Sequence, residues 1–350
     1  MTLRLFLSND LRALARGLDQ ALLSDPLEAA FAGLEVTVDS PHLGKFLLDA
    51  LAEARGIVAN VRFTSLDGLL GRALAAGGSL RLLDHGRLRS LLLARLLDPA
   101  ALAEDALAPV RDYLAAGAKD DPQRPYLLAT RLAASFLGYH AERPEQAQRW
   151  LAGEVGFSAD PESDAWQRAL FRGVFGAGEA LDELERESGQ RWRALGQLPS
   201  EPELGAQLEL PDPLCVVTCE PLGRARRELL LRLAAEREVR LFRYRPTVAF
   251  QEDLAPELDD EAARARLPRR SDAQLPPPEE QESVREQALL PVLGQLGLED
   301  DQALAARARE LGVALVVEPR YSLPQGSGLL ARLQRDLLLR APLGQADLDP

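Results

Sequence analysis

Lysine is nearly absent from this 350-residue chain, because Lys45 and Lys119 are the only lysines among its 41 basic residues. Any chemistry that needs a lysine ammonium group must therefore use one of these two positions. A P-loop requires glycines, a lysine for the phosphates and a following Ser or Thr for Mg²⁺. Phe46 follows Lys45 and Asp120 follows Lys119, so neither lysine completes that motif. The lysine content argues against an independent ATPase.

Cysteine and long apolar runs are also scarce. The two cysteines, Cys215 and Cys219, exclude a disulfide-dense secreted scaffold. On one strand they would lie roughly 13 Å apart, too far for a bridge, so we expect two small buried residues. No segment reaches about 18 uncharged apolar residues, so we expect no transmembrane helix and no membrane partner. Asp10 follows the first apolar residues too soon for a signal peptide, which predicts a cytoplasmic protein.

The arrangements that mark common catalytic and metal sites are missing as well. His42, His85 and His140 are far apart in sequence and no Cys-x-x-Cys pair exists, so we expect no metal site. The residues two positions before the lysines are Leu43 and Gly117, which excludes the acid-x-Lys arrangement of the common nuclease core. No Gly-x-Ser-x-Gly elbow occurs either. From the residues alone we expect no intrinsic catalytic site and no cofactor in this chain.

The composition is that of a globular protein of two or three domains, with 46% hydrophobic and 27% charged residues. A net charge of −13 argues against a small domain that holds nucleic acid by charge alone. Two arginine clusters stand out: Arg224, Arg226, Arg227 and Arg232, and Arg264, Arg266, Arg269 and Arg270. We expect ordinary surface ion pairs for both, with phosphates or the acids of a partner as the alternative.

The first 64 residues alternate strand and helix patterns. Apolar and alternating runs predict strands at 3–7, 34–38 and 57–63. Helical spacing predicts helices at 11–22 and 45–55, with a loop in front of the second helix. This alternation is typical of a parallel α/β sheet.

The middle of the chain, residues 65–208, has no convincing strand pattern. Helical periodicity recurs there between Pro and Gly residues, over 88–97, 100–115, 126–139, 144–151, 164–175 and 181–195. We therefore expect an all-helical insertion of this length.

The α/β pattern returns after residue 208. It predicts strands at 214–218, 239–244 and 313–317, and helices at 222–236, 282–296, 300–311 and 327–339. The acidic, proline-rich stretch 251–283 is typical of a mobile surface loop.

These patterns predict an α/β fold in which one parallel-sheet domain is interrupted by helices. Residues 1–64 and 209–322 would form the discontinuous sheet domain, and residues 65–208 the helical insertion domain. Residues 323–350 would add a last helix and a linker towards a second half.

Several stretches resemble the N-terminal region of the RecC family, the gamma subunits of exodeoxyribonuclease V. They are Leu3-Arg4-Leu5-Phe6-Leu7-Ser8-Asn9, Gly56-Ile57-Val58-Ala59-Asn60-Val61, Arg143-Pro144 with Trp150, Ala165-Trp166-Gln167 with Leu170, and Leu210-Pro211 with Pro221-Leu222. Each stretch is short, but their shared order and spacing across residues 1–250 make the resemblance specific.

The resemblance implies a helicase-like fold, a RecA-like sheet of the P-loop NTPase type that has lost its ATPase motifs. It also implies a non-catalytic DNA-handling subunit, which guides unwound single strands during double-strand break repair by homologous recombination. The implied partners are the helicase-nuclease (beta) and helicase (alpha) subunits of an ATP-dependent exodeoxyribonuclease, with DNA inside the complex. ATP and Mg²⁺ would be used by those partner subunits. Because family members are far longer, we expect this chain to be a fragment or a truncated gene product.

The same resemblance suggests where DNA is contacted. It implies strand contacts at Ser40, Lys45, Ser65 and Arg143. It also implies that Gly44-Lys45-Phe46 is the degenerate remnant of a nucleotide loop.

The chain departs from the family at several positions that scan the strand. Asp39, Pro41 and Lys45 stand where the family has Gln, Thr and Gln, and Gly71 stands in place of a Trp. Ala134 and Leu137 replace acids, so that only Arg143 persists. The departures argue against recognition of a family-type recombination signal.

Three hypotheses remain open from the sequence. The first is the DNA-handling subunit described above. The second is a scaffold or interaction protein that keeps the fold and the partners but has lost DNA contact. The third is an independent ATPase or nuclease, which the scarcity of lysine disfavours.

Overall fold

The computed structural model describes residues 2–22, 33–116, 123–156, 160–204, 208–245 and 290–325, together with the isolated residues 328, 330, 331 and 334. The predicted surface loop 251–283 and its four arginines lie outside the described residues. So does most of the helix predicted at 327–339.

Strands occur at both ends of the chain and, briefly, in its middle. In chain order they are β1 Thr2–Ser8, β2 Leu34–Val38, β3 Val61–Thr64, β4 Leu80–Leu82, β5 Arg191–Arg193, β6 Leu214–Thr218, β7 Val239–Tyr244 and β8 Ala314–Pro319. The strands predicted at 214–218 and 239–244 are confirmed at their bounds.

Helices separate most of these strands. They are α1 Leu11–Leu22, α2 Pro41–Arg55, α3 Leu66–Gly77, α4 His85–Leu97, α5 Ala108–Ala115, α6 Gln123–Glu142, α7 Pro144–Leu151, α8 Pro161–Phe175, α9 Ala180–Ser188, α10 Gly223–Ala234 and α11 Leu290–Glu310. Three short 3-10 helices occupy Asp105–Leu107, Leu195–Ser200 and Pro202–Leu204.

The chain divides into two compact units. The first comprises Met1–Leu66, Pro211–Leu222 and Arg237–Pro350, and the second comprises Asp67–Leu210 and Gly223–Glu236. The domain bounds predicted from the sequence differ from this division at α10, which the structure groups with the second unit.

The first unit is built on a six-stranded sheet with the order β3-β2-β6-β7-β1-β8. Every neighbouring pair is parallel, so the chain returns to the same edge of the sheet before each new strand. The α/β class with a parallel sheet is confirmed.

One face of this sheet is covered by α1 and α2. Leu14 and Leu18 of α1 and Leu47 of α2 are fully buried against it. On the sheet itself Phe6 and Phe242 stand opposite each other in register, and their rings stack 4.5 Å apart. As their helical spacing predicts, these leucines form one buried stripe on each helix.

Helix α2 begins at Pro41, so the loop predicted before residue 45 is wrong. Ser40 caps the helix, because its Oγ accepts a hydrogen bond from the Leu43 N–H at 3.2 Å. Pro41 occupies the first turn, where its missing N–H costs nothing. Gly44 is buried in the second turn, and a Cβ there would lie 3.0 Å from the Cβ of Phe63.

The segment after α2 is extended for a shorter length than predicted. Gly56 ends the helix with a φ of 81°, a conformation that favours glycine. Ile57 is exposed, and pairing with β2 starts only at Val61. The helix α3, which begins at Leu66 directly after β3, was not predicted.

The second unit contains helices and a two-stranded parallel sheet of β4 and β5. The expectation of no strand in residues 65–208 is therefore wrong. The helix predicted over 181–195 is also wrong beyond Ser188, because Gly189 adopts a left-handed φ of 64° and the chain then extends into β5. The helix predicted over 144–151 is confirmed at both ends by α7.

An aromatic cluster forms the core of the second unit. Phe136 of α6, Trp150 of α7 and Phe171 of α8 are fully buried and meet edge to face, with ring centroids 5.2–6.5 Å apart. Such edge-to-face pairs are worth about 1 kcal/mol each beyond their buried area. Trp150, one of the residues that carry the family resemblance, is therefore a core residue.

Near the C-terminal end of the described chain, one prediction is corrected and another is confirmed. The two helices predicted at 282–296 and 300–311 are a single helix, α11, over the part that is described. The strand predicted at 313–317 is confirmed as β8, which runs from Ala314 to Pro319.

Candidate functional site

The carboxyl ends of the six parallel strands meet at one edge of the first unit. In open α/β sheets, ligands bind at this edge, next to the point where the strand order reverses. Here that point lies between β2 and β6. From β2 the chain continues to β3, which lies on one side, and from β6 it continues to β7, which lies on the other side. The residues that follow these two strands therefore define the candidate site.

Asp39 occupies this point with its own carboxylate. Its Oδ2 accepts hydrogen bonds from the Cys219 N–H at 2.6 Å, the Thr218 hydroxyl at 3.0 Å and the Glu220 N–H at 3.3 Å. N–H and hydroxyl groups at such a turn are of the kind that hold an anion. Here the Thr218 hydroxyl and the Glu220 N–H also contact each other's residue, at 2.7 Å and 3.1 Å. The carboxylate takes the place that a phosphate oxygen would need and adds a repelling charge.

The neighbouring cysteines differ in environment. Cys215 lies within β6 and is buried, whereas Cys219 follows the strand and is exposed, so the prediction of two buried residues is wrong for Cys219. Desolvation of its thiol, with the charges of Asp39 and Glu220, raises the pKa of Cys219 to about 11. Burial raises the pKa of Cys215 to about 12. Neither thiol is activated as a nucleophile at neutral pH.

The end of β1 is closed by contacts with the chain that follows β8. The Ser8 hydroxyl donates to the Arg320 carbonyl at 2.8 Å. The Asn9 side chain donates to the Ser322 carbonyl at 2.8 Å and accepts from the Ser322 N–H at 3.0 Å. Asp10 then puts a carboxylate at the start of α1, where it accepts the Arg12 N–H at 2.8 Å. A helix N-terminus that carries its own acid is a poor phosphate site.

The end of β7 is fixed by a buried group of charges. Arg243 is bonded to both Asp300 and Asp301 of α11, and Arg245 lies 2.7 Å from Asp301. Asp300 also accepts the Leu222 N–H at 2.9 Å. Burial raises the pKa of Asp301, while Arg243 and Arg245 act in the opposite sense. Because each charge has a partner, the group holds α11 against the strand end.

The structure brings most of the predicted contact residues to this edge. Ser40 caps α2, Lys45 lies exposed in the second turn of that helix, and Ser65 is exposed directly after β3. Thr37 stands opposite Thr64 in the sheet, which keeps the ends of β2 and β3 side by side. Arg143 belongs to the second unit, where it is exposed at the N-terminus of α7.

The three residues predicted as a degenerate nucleotide loop do not form a loop. Gly44, Lys45 and Phe46 lie within α2, and the Gly44 N–H donates to the Ser40 carbonyl at 3.2 Å. Its N–H is therefore used by the helix and is not directed at a ligand. Phe46 is half-buried against the hydrophobic core that α1 and α2 form with the sheet.

Three of the four arginines of α10, Arg224, Arg226 and Arg232, form the ion pairs that the sequence predicts. Arg224 lies 2.5 Å from Glu145, Arg226 lies 3.4 Å from Asp67 and Arg232 lies 2.6 Å from Glu236. All of these residues belong to the second unit. These three arginines are accounted for by carboxylates of the same unit.

Neither a metal-binding cluster nor a membrane-spanning helix occurs among the described residues. No group of three or more His, Cys, Asp or Glu residues in that part of the chain is placed to hold a metal ion. Among the described helices, none combines the length and the apolar character needed to cross a membrane.

From the sequence, Asp39 stands out only as a departure from the family pattern. Its hydrogen-bond partners follow a strand about 180 positions later in the chain and were not predicted. An acid directly after β2 and a Thr-Cys-Glu turn directly after β6 are visible in the sequence. Their meeting depends on the strand order, which the sequence does not state.

Comparison with known proteins identifies the family. Residues 3–340 match the family described as RecC, N-terminal domain. The chain is also 27% identical over 151 residues to a protein of Haemophilus influenzae (strain ATCC 51907 / DSM 11121 / KW20 / Rd) named RecBCD enzyme subunit RecC. That match covers 43% of this chain and 14% of the relative's length. Since the family match extends over nearly the whole chain, this protein belongs to the RecC family through its N-terminal domain.

Proposed function

We propose that this chain is a non-catalytic DNA-handling subunit, or the first part of one, in a helicase-nuclease complex of the exodeoxyribonuclease V type. Family membership and the name of the relative, a RecBCD enzyme subunit, support this assignment. In this proposal the chain guides unwound single strands during recombinational repair of double-strand breaks. The partners that hydrolyse ATP with Mg²⁺ are the helicase-nuclease and helicase subunits.

The observation that carries the non-catalytic part is the carboxylate of Asp39 between β2 and β6. It accepts the Cys219 and Glu220 N–H groups at the point where a sheet of this kind holds its ligand. We propose that the first unit is a helicase-like, RecA-like sheet in which side chains of the protein have replaced the nucleotide. Measurable ATP hydrolysis by the purified chain would contradict this proposal.

The DNA-handling part rests on exposed groups of the expected kind. Lys45 and the Ser40 hydroxyl stand on one helix, Ser65 follows the neighbouring strand, and Arg143 is exposed in the second unit. Ammonium, guanidinium and hydroxyl groups are those that contact phosphates along a nucleic-acid backbone. We propose that these four residues touch the strand within the complex.

The test begins with the partners. A tagged chain is recovered from its own cells, and the proteins that accompany it are identified by mass spectrometry. We expect a helicase-nuclease and a helicase. Recovery without either protein under mild salt conditions would overturn the assignment.

DNA contact is tested in the complex that is recovered. We expect photo-crosslinking of a single-stranded oligonucleotide to this chain, and a loss of several-fold in Lys45→Ala and Arg143→Ala. Asp49→Ala, an exposed acid on the same helix as Lys45, serves as the control. Intact partner binding with no crosslink in any variant would favour the scaffold hypothesis in place of DNA handling.

A further inference from the structure

Two helices of the second unit concentrate positive charge in an acidic protein. Helices α4 and α6 carry five arginines and a single acid, Glu142, although the chain as a whole has a net charge of −13. The arginines are Arg87, Arg89, Arg95, Arg124 and Arg131. The two helices pack antiparallel, because His85 Nε2 lies 2.9 Å from the Thr130 carbonyl while Arg89 meets Tyr126 four residues earlier in α6.

Two of these arginines lie over exposed tyrosine rings. The Cζ atom of Arg89 is 4.9 Å from the ring centre of Tyr126, and that of Arg124 is 5.0 Å from the ring centre of Tyr113 in α5. Arg124 also donates to the Tyr113 carbonyl at 2.6 Å, which fixes its position. Tyr126 and Tyr113 remain 42% and 43% exposed. Each pair therefore presents a guanidinium and a phenol together at the surface.

The surface between the two pairs belongs to α6. With about 3.6 residues per turn, Leu127 and Arg131 point outward between Tyr126 on one side and Arg124 on the other. Leu127 is 51% exposed, and Arg131 is exposed as well. We call the six residues Arg89, Tyr113, Arg124, Tyr126, Leu127 and Arg131 the Arg–Tyr face.

The arginines of this face differ from the other arginines of the same unit. Within the described residues, no carboxylate lies within ion-pair distance of Arg89, Arg124 or Arg131. By contrast, Arg224 and Arg226 on α10 are each paired with an acid. Among the described residues, the Arg–Tyr face thus carries three arginines without a carboxylate partner.

We propose that the Arg–Tyr face binds a stretch of single-stranded nucleic acid. Planar guanidinium groups and tyrosine rings stack with bases, arginine charges attract phosphates, and an exposed leucine offers an apolar contact to a base. An acidic protein surface could also meet the arginines, but a single strand offers both phosphates for the guanidinium groups and flat bases for the tyrosine rings along its whole length. The proposal rests on the proposed function for the choice of DNA, and it adds contact residues that the family resemblance does not assign.

The experiment uses the 350-residue chain, both alone and in the complex with which it is recovered. The probe is a single-stranded dodecamer that carries 5-iodouracil, which crosslinks to aromatic side chains on irradiation. We expect crosslinked peptides that contain Tyr113 and Tyr126. Crosslinks confined to other peptides in both samples would overturn the proposal.

Binding of the same oligonucleotide without iodine separates stacking from charge. We expect Tyr126→Ala to weaken binding about tenfold, and Arg89→Lys to weaken it several-fold although the charge is kept. On an abasic oligonucleotide of the same length, Tyr126→Ala should change little, because no bases stack there. Arg224→Ala, which removes a paired arginine, is the control and should bind like the unaltered chain. Thermal unfolding verifies that each variant is folded.

The outcomes distinguish this inference from the proposed function. If Lys45→Ala and Arg143→Ala weaken binding while the tyrosine variants do not, only the Arg–Tyr face is refuted. If Tyr126→Ala weakens binding equally on the abasic oligonucleotide, stacking is refuted as well. If neither the chain nor its complex binds the oligonucleotide, both proposals fail together.

Discussion

The carboxylate of Asp39 accepts a hydrogen bond from the Cys219 N–H at 2.6 Å and so joins the ends of two neighbouring parallel strands. Thr218 and Glu220 donate to the same oxygen. At the edge where open α/β sheets bind ligands, this carboxylate forms a structural joint between two strand ends. The non-catalytic role proposed for the first unit depends on this joint.

Replacement of Asp39 by alanine is predicted to destabilise the first unit. Three donors lose a charged acceptor. The Cys219 N–H loses the shortest of these hydrogen bonds, whereas the Glu220 N–H keeps the Thr218 hydroxyl oxygen at 3.1 Å as a second acceptor. We expect the free energy of unfolding to fall by about 1–2 kcal/mol, because solvent reaches this edge and replaces part of the lost interaction. Urea denaturation followed by circular dichroism measures the change.

The control for this prediction is Asp49→Ala. Asp49 is exposed on α2 and has no hydrogen-bond partner among the described residues. We expect its free energy of unfolding to stay within about 0.5 kcal/mol of the unaltered chain. Equal stabilities for the two variants would mean that the joint at Asp39 contributes nothing.

Local patterns predicted the strands and helices that are bounded by strong breakers. Pro213 precedes β6, which is apolar and buried throughout, and Pro246 follows β7, whose apolar and polar residues alternate, so the bounds of both strands follow from the sequence. Pro144 likewise marks the first turn of α7. In these elements the local preference and the tertiary environment agree.

The features that were missed depend on contacts between distant parts of the chain. Strands β4 and β5 have three residues each, and they are held by pairing across more than a hundred intervening positions. Gly44 lies inside α2 because the helix begins early, with Ser40 as its cap. The same residues, rich in Ser, Pro and Gly, are equally compatible with a loop in the sequence. The Arg–Tyr face is not visible as a motif, because α4, α5 and α6 each contribute part of it.

His140 is predicted to make the second unit sensitive to acid. Its ring is buried against Phe171 and Phe175, and burial lowers its pKa from 6.5 to about 4. Between these pH values the unfolded chain binds a proton that the folded chain does not bind. Stability therefore falls as the pH is lowered from about 6.5 towards 4, by up to about 3 kcal/mol at the lower limit.

Urea denaturation at pH 7.5, 6 and 5 measures this dependence. In His140→Leu the part of the slope that belongs to this histidine should disappear, whatever the stability of the variant at pH 7.5. His42→Ala, which removes an exposed histidine, should keep the slope. An unchanged slope in His140→Leu would show that another group controls the acid response.

Gly196 is predicted to be intolerant of any side chain. A Cβ at this position would lie 2.0 Å from the carbonyl oxygen of His140, and a backbone atom in a helix cannot move aside easily. We expect Gly196→Ala to lower the free energy of unfolding by about 2–3 kcal/mol. Gly138→Ala is the matched opposite, because nothing lies within 4 Å of its added Cβ.

Gly138 lies inside α6, where alanine is preferred to glycine. Gly138→Ala should therefore raise the free energy of unfolding by about 0.5–1 kcal/mol. Thermal and urea unfolding of the two variants give the comparison. Two variants of equal stability would contradict the close approach of Leu195–Ser200 to α6.

Asp164 is predicted to be essential for the aromatic core of the second unit. It is buried, its Oδ1 accepts the Trp150 indole N–H and the Gly156 N–H at 2.9 Å each, and its Oδ2 lies 3.2 Å from Arg168. In Asp164→Ala the buried Trp150 N–H and the half-buried Gly156 N–H lose their acceptor, and we expect a loss of about 3 kcal/mol in the free energy of unfolding. Asp164→Asn keeps an acceptor oxygen and should lose less than half of that.

Glu162→Ala, which removes an exposed acid in the first turn of the same helix, is the control and should unfold like the unaltered chain. Equal stabilities of Asp164→Ala and Asp164→Asn would show that the Asp164 oxygen bonded to the Trp150 indole has no structural role. This hydrogen bond could then not explain why the chain resembles the RecC family at Trp150.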